Sequence, residues 1–250
     1  MKKSATTGSQ PKQQRRSLLA KAGAFFAGIW RIAKENLSSE DVFKRMGAIA
    51  LWTGFIFIIV WLVSFILLRA KVFEGTWLTE RIFGISAPKG MHKPGTGPDL
   101  NYWPRVLLVS GKIFLHYLIL TVMIFLLNHF RVGRINLGYV FFFIYVAFMA
   151  VVVGTNGFPY YAATKLGALI TFVRFALWQL IALMLAAVAT SRLALFATPG
   201  WINGIWAKIR PLNKLGLKGE DFEVLLYAFL ILIAASIAEA RLVDFYSLYY

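Results

Sequence analysis

Long uncharged apolar runs, separated by short polar segments, dominate the pattern of this chain. Because a helix rises about 1.5 Å per residue, about 20 apolar residues cross a hydrocarbon core of about 30 Å. The pattern therefore predicts an all-α fold, a polytopic membrane helix bundle of about five transmembrane helices within a membrane domain of residues 46–250. The predicted spans are 46–68, 106–127, 137–153, 167–189 and 224–243.

The first 45 residues have a different pattern. Residues 1–16 are polar and basic, which predicts a disordered tail. Residues 17–45 form a predicted interfacial amphipathic segment, since charged residues punctuate its apolar positions and the uncharged stretch 22–30 is too short to cross a bilayer. An amphipathic helix on the membrane surface fits residues 17–34 better than a full span.

The distribution of charge predicts the orientation of the chain. If the N-terminus is cytoplasmic, 17 of the 27 Lys and Arg residues lie in inner segments, so the positive-inside rule favours a multi-pass protein of the cell inner membrane with its C-terminus outside. The net charge of +16 then indicates anionic lipids at the cytoplasmic face as partners, and not nucleic acid.

Four ionisable residues fall inside the predicted spans and form a candidate intramembrane charge layer. Arg174 lies about 10–12 Å below the outer boundary of span four, and Lys112 about 9 Å below that of span two. His116 follows Lys112 by one helical turn, and Glu239 falls late in span five. Because an isolated charge in a bilayer is unfavourable, we expect Glu239 to pair with Arg174 or Lys112. The alternative is that both cations extend outwards to the membrane surface.

No recognisable catalytic or ligand-binding pattern accompanies these spans. The chain has no cysteine and three scattered histidines, and it lacks a P-loop and the HExxH, GxGxxG and GxSxG motifs. We predict no catalytic residue, no cofactor and no metal site. Asparagines at 128, 136, 156 and 203 lie at predicted turns, where capping is the ordinary role.

Small residues at helical spacing predict close helix packing. Span four carries Ala182 and Ala186, and span five carries Ala234 and Ala238. Packing within the chain is the ordinary interpretation, and a helix of another subunit is the alternative.

The region 120–245 resembles the stage II sporulation protein M family of integral membrane proteins. The similar features are a stretch from Gln179 to Ala189, followed by Arg192 and the Pro199-Gly200 turn, and a closing span ILIAASIAEA that ends near Glu239. The turn at Asn156-Gly157 is also similar. The sequence departs from the family at Phe175-Ala176, where the family has His-Gly, and at Gln179, where it has an acid. The resemblance implies an accessory or scaffolding protein without catalytic residues, working beside cell-wall remodelling enzymes in sporulation systems.

These features predict a non-enzymatic integral membrane scaffold or accessory subunit of a larger assembly, with other membrane subunits as partners. The alternative is a transporter or channel component with a polar path through Lys112, His116, Arg174 and Glu239. The two functions differ in whether those four side chains converge on a water-accessible cavity.

Overall fold

A computed structural model describes residue 31 and residues 35–69, 102–157, 164–200, 204–211 and 216–249, with side chains in the last range as far as residue 241. Five of its helices are long and apolar enough to cross a membrane, so the protein is a multi-pass membrane protein and the predicted all-α bundle is confirmed. The prediction for the tail 1–16 and, except at residue 31, that for residues 17–34 of the interfacial segment concern positions outside the described residues.

The described helices and strands follow one another in a simple order. In chain order they are α1 (Val42–Leu67), α2 (Tyr102–Leu127), β1 (Phe130–Val132), β2 (Ile135–Asn136), α3 (Leu137–Gly154), α4 (Lys165–Thr171), α5 (Leu177–Thr190), β3 (Phe196–Thr198), β4 (Ala207–Lys208) and α6 (Gly219–Tyr249).

A π-helical turn, Phe172–Ala176, joins α4 to α5, so that residues Lys165–Leu193 form one continuous spanning helix. This fourth span is the centre of the bundle. Of its most apolar window 61% is buried, against 17% for α1. Its second half, α5, packs mainly against α6 and also against α2, while α1 packs mainly against α3.

The first helix begins four residues before the predicted span. Asp41 caps it, since the carboxylate accepts hydrogen bonds from the backbone N–H groups of Phe43 (2.8 Å) and Lys44 (3.3 Å). The sequence pattern predicts that the first span begins after Arg45, because Arg45 is charged. The helix nevertheless includes Arg45, whose charge is matched by a partner described below.

The two connections at one end of the bundle form a small mixed sheet that the sequence did not predict. Its strand order is β2-β1-β3-β4, with β1 parallel to β3 and the outer pairs antiparallel. Strands of two or three residues are too short to show an alternating pattern, and the central pairing joins Phe130 to Phe196 across a long stretch of chain. We call this end of the bundle the sheet end.

At the opposite end, α1 and α3 approach closely. A Cβ atom added to Gly154 would lie 2.8 Å from the Cβ of Ser64 and 2.9 Å from the carbonyl oxygen of Trp61, so only glycine fits there. The ammonium group of Lys165 donates hydrogen bonds of 2.7 Å to the carbonyl oxygens of Phe65 and Leu68, which satisfies the last carbonyls of α1.

We expect Gly154→Ala to lower the free energy of unfolding in detergent micelles by about 1–3 kcal/mol, because the added methyl group overlaps with α1. Gly54→Ala is the matched control, since nothing lies within 4 Å of a Cβ at that position. Equal stability of the two variants, measured by chemical denaturation, would contradict the close α1–α3 contact.

Candidate functional site

The acidic residue inside the bundle is bonded to an amide. Glu239 on α6 is 7% exposed, and its carboxylate accepts a hydrogen bond from the side-chain Nε2 of Gln179, which is fully buried on α5. Among the described residues no ion pair joins Glu239 to Arg174 or Lys112. The predicted pairing of Glu239 with Arg174 or Lys112 is thus not among the described contacts, and the charge layer stays a prediction. Gln179 and Glu239 face each other across the contact between α5 and α6, which is the most extensive helix contact among the described residues.

The two cations predicted for the charge layer lie on outer faces. Lys112 is exposed on α2, and Arg174 is exposed within the π-helical turn. This arrangement agrees with the alternative in which long basic side chains extend along the surface to the membrane boundary. His116, on α2, is half-buried. Lys112 and Arg174 are thus exposed while Glu239 is buried, and none of the four residues lines the cavity at the end of the bundle that carries the sheet or the space between α2, α5 and α6.

The four candidate packing alanines divide into two pairs. Ala182 and Ala186 are buried on α5, at the contact with α2 and α6. Ala234 and Ala238 are exposed on α6, so they do not pack within the described chain, and contact with a helix of another subunit stays the prediction for them. The reason is the rotational phase of α6, which turns Ala235 and Ala240 inwards instead.

Two of the asparagines connect helices rather than cap them. The fully buried Asn128 donates from Nδ2 to the carbonyl oxygen of Ala187 (3.0 Å) and to the hydroxyl oxygen of Thr190 (2.7 Å). Asn136 occupies the N-cap position of α3 without a side-chain capping bond, and its amide donates to the carbonyl oxygen of Ser191. Both amides thereby fix the end of α5 against neighbouring segments.

A buried ion pair lies at the sheet end. The guanidinium of Arg45, in the first turn of α1, contacts the carboxylate of Asp221, in the first turn of α6, and each residue is 1% exposed. Arg45 also donates to the carbonyl oxygens of Ser39 (3.0 Å) and Glu40 (3.1 Å). The pair joins positions 176 residues apart in the chain and sets the beginnings of the first and last helices side by side.

Further charges extend this pair to the surface. Nη1 of Arg192, just beyond α5, lies 3.7 Å from Oδ2 of Asp221, and its Nη2 donates to the carbonyl oxygen of Glu40. The Glu40 carboxylate, in turn, lies 3.3 Å from Nζ of Lys218. The segments that begin α1, follow α5 and begin α6 are thus joined by one network of charges, which we call the sheet-end ion network.

A polar cavity of about 280 Å³ opens beside this network. Its lining includes residues from the start of α1, from the β1–β2 hairpin, from the end of the fourth span and from the segment around β4. The basic residues that line it are Arg45, Arg131, Arg134, Arg192, Arg210 and Lys218. Glu40 is the only carboxylate among the described lining residues.

The sequence pattern does not predict the sheet-end ion network or the Gln179–Glu239 contact. One signal is present for the ion network: Arg45 and Asp221 lie at the predicted inner ends of spans one and five, at the same height and with opposite charges. For the Gln179–Glu239 contact, the signal is that Gln179 stands where the resemblance implies an acid. Neither signal specifies which helices are neighbours.

Comparison with protein-family models, with curated proteins and with solved structures finds no match for this chain. The resemblance to the stage II sporulation protein M family therefore stays a prediction.

Removing one partner of the buried ion pair should be strongly destabilising. We expect Arg45→Met or Asp221→Leu alone to lower the free energy of unfolding by about 3–5 kcal/mol. Asp221→Leu leaves the buried Arg45 without a carboxylate, and Arg45→Met leaves Asp221 only its longer contact with Arg192. The double substitution should recover most of that loss. Glu40→Gln is the control, because Glu40 is 90% exposed and its pairing contributes less than about 1 kcal/mol. A double variant no more stable than the singles would contradict the pairing.

Loss of the amide donor inside the bundle should also destabilise the fold. Gln179→Leu is expected to lower the free energy of unfolding by about 1–3 kcal/mol, because it removes a hydrogen bond to a buried carboxylate. Arg174→Gln, one turn away on the exposed side, should leave it unchanged. The reverse order of effects would indicate that Arg174, and not Gln179, stabilises Glu239.

Proposed function

We propose that this protein is a non-enzymatic scaffold or accessory subunit of a larger membrane assembly. The observation that carries the proposal is that Glu239 is buried against Gln179, whereas Lys112 and Arg174 are exposed. A transport path needs such groups to converge, whereas a structural subunit can close its inner polar groups on each other and keep others on its outer faces. The proposed location is the cell inner membrane, with the N-terminus cytoplasmic and the C-terminus outside, as the distribution of Lys and Arg favours.

The interior of the bundle supports this choice over a transporter or channel. The space between α2, α5 and α6, lined by Thr121, Ala182, Ala186 and Leu232 among others, has no room for a water molecule in the described part of the chain. Glu239, with Gln179 as its partner, lies in the same α5–α6 interface. Close packing of this kind holds α2, α5 and α6 together and leaves no passage for an ion between these three helices.

One outer face presents a cation among apolar side chains. Around Arg174, the residues Ile170, Val173 and Trp178 are about half exposed and lie within one helical turn. A cation on a lipid-facing surface is energetically unfavourable, and an acidic or polar group on a neighbouring helix lowers this cost by pairing with it. The Arg174 face is therefore a suitable contact surface for another membrane subunit.

A second outer face carries small residues. Tyr227, Leu230, Ala234 and Ala238 follow one another at helical spacing along the exposed side of α6. Small residues four positions apart let another helix approach closely, and apolar interfaces in membranes depend on such close packing. Since Ala234 and Ala238 do not pack within the described chain, this face suits a helix of another subunit.

Site-specific photo-crosslinking in native membranes tests the proposal. A photoreactive amino acid at Trp178 or at Ala234 should give discrete adducts with the same partner chains that co-purify in mild detergent. The same amino acid at Leu62, which is also exposed but lies on α1 and belongs to neither face, is the control and should give none. A monomer in mild detergent with no adducts at either test position would contradict the scaffold function.

A further inference from the structure

We propose that the cavity at the sheet end binds a phosphate group. About 280 Å³ is enough for a small anion, and six cationic side chains line this space against one carboxylate. Guanidinium groups hold phosphate oxygens through paired, charge-assisted hydrogen bonds, so arginines from several segments that converge on one small volume form a suitable site. This site is separate from the subunit contacts proposed above and does not depend on them.

The charges of the cavity are only partly matched within the protein. Arg45 is neutralised by Asp221, and Glu40 faces both Arg192 and Lys218. The three other arginines of the cavity, Arg131, Arg134 and Arg210, have no carboxylate partner among the described residues.

Arg131 donates from Nε to the carbonyl oxygen of Gly133 (2.9 Å), and Arg210 donates from Nη1 to that of Arg192 (3.0 Å). These carbonyls are neutral acceptors that orient the guanidinium groups without cancelling their charge. Neither these two arginines nor Arg134 forms an ion pair with a described carboxylate. The cavity therefore keeps an excess of positive charge that an anion would neutralise.

The cavity lies near the membrane boundary. It lies where the spanning helices begin and end, and Ile209 forms part of its wall. Nearby Ile205 is 88% exposed and Trp206 about half exposed, as is typical of residues that insert at the level of lipid headgroups. The phosphate can thus be supplied by the headgroup of an anionic phospholipid or by a soluble phosphate, and the chemistry of recognition is the same for both.

Binding to the full-length protein in a nonionic detergent tests the site. The probes are dioctanoyl phosphatidylglycerol, dioctanoyl phosphatidylcholine and inorganic phosphate, with affinities measured by calorimetry and by native mass spectrometry. Replacing Arg134 and Arg210 together by glutamine should weaken binding of the preferred anionic probe about thirty-fold, from the typical contribution of two basic residues to attraction of an anion.

The control removes the same charge outside the cavity. Lys44 on α1 and Lys208 on β4 are exposed at the same end of the bundle and do not line the cavity, so K44Q/K208Q should bind nearly as the unmodified protein does. If R134Q/R210Q does not fold, R134Q alone should weaken binding about five-fold.

The outcomes separate the two sources of phosphate. Preference for phosphatidylglycerol over inorganic phosphate, lost in R134Q/R210Q, supports a lipid headgroup, whereas equal binding of inorganic phosphate, lost in the same variant, supports a soluble anion. The proposal is overturned if no probe binds. It is also overturned if the cavity variants and the control lose affinity equally, since that result indicates general attraction of a basic surface.

Discussion

The rest of the structure depends on a buried charge that is tolerated only because an opposite charge matches it. Arg45 lies in the first turn of a spanning helix with almost no exposure, and the carboxylate of Asp221 matches it from the first turn of the last helix. Such a pair adds little net stability compared with well-packed apolar residues, but either member alone would be strongly unfavourable. The need to match these charges holds the beginnings of α1 and α6 side by side. Arg192, which also contacts Asp221, brings the connection after α5 to the same end of the bundle.

Charged groups within the spans are accommodated in a different way. Glu239 is placed in the tight α5–α6 interface, where an amide donor satisfies its carboxylate. Lys112 and Arg174 instead lie on outer faces, where long side chains reach towards the membrane boundary or meet a neighbouring subunit. Inward polar groups thus hold this chain together, and outward ones remain for contacts with lipid or with other chains. This division is the physical basis of the proposed role as a subunit.

The two ends of the bundle also differ in chemistry. The end where Lys165 closes the last turn of α1 relies on close backbone contact, with Gly154 against Ser64. The sheet end relies on charge, on short strands and on asparagine side chains that cross between segments. Because the basic residues there come from four separate segments, their convergence into one cavity requires the sheet, the hairpin and the ion network together. The proposed phosphate site is therefore a property of the assembled end and not of any single segment.

The sequence by itself determined the class of fold, because apolar length is a local property that can be read along the chain. The spans, their order and the concentration of basic residues at one end all follow from it. Only the tertiary structure decided which polar groups meet, since the neighbour of a helix and its rotation about its own axis depend on packing between distant segments. Arg174 illustrates this, because its place within the fourth span follows from the sequence but its outward direction does not. Ala234 and Ala235 show the same limit, as one residue along a helix separates an exposed face from a buried one.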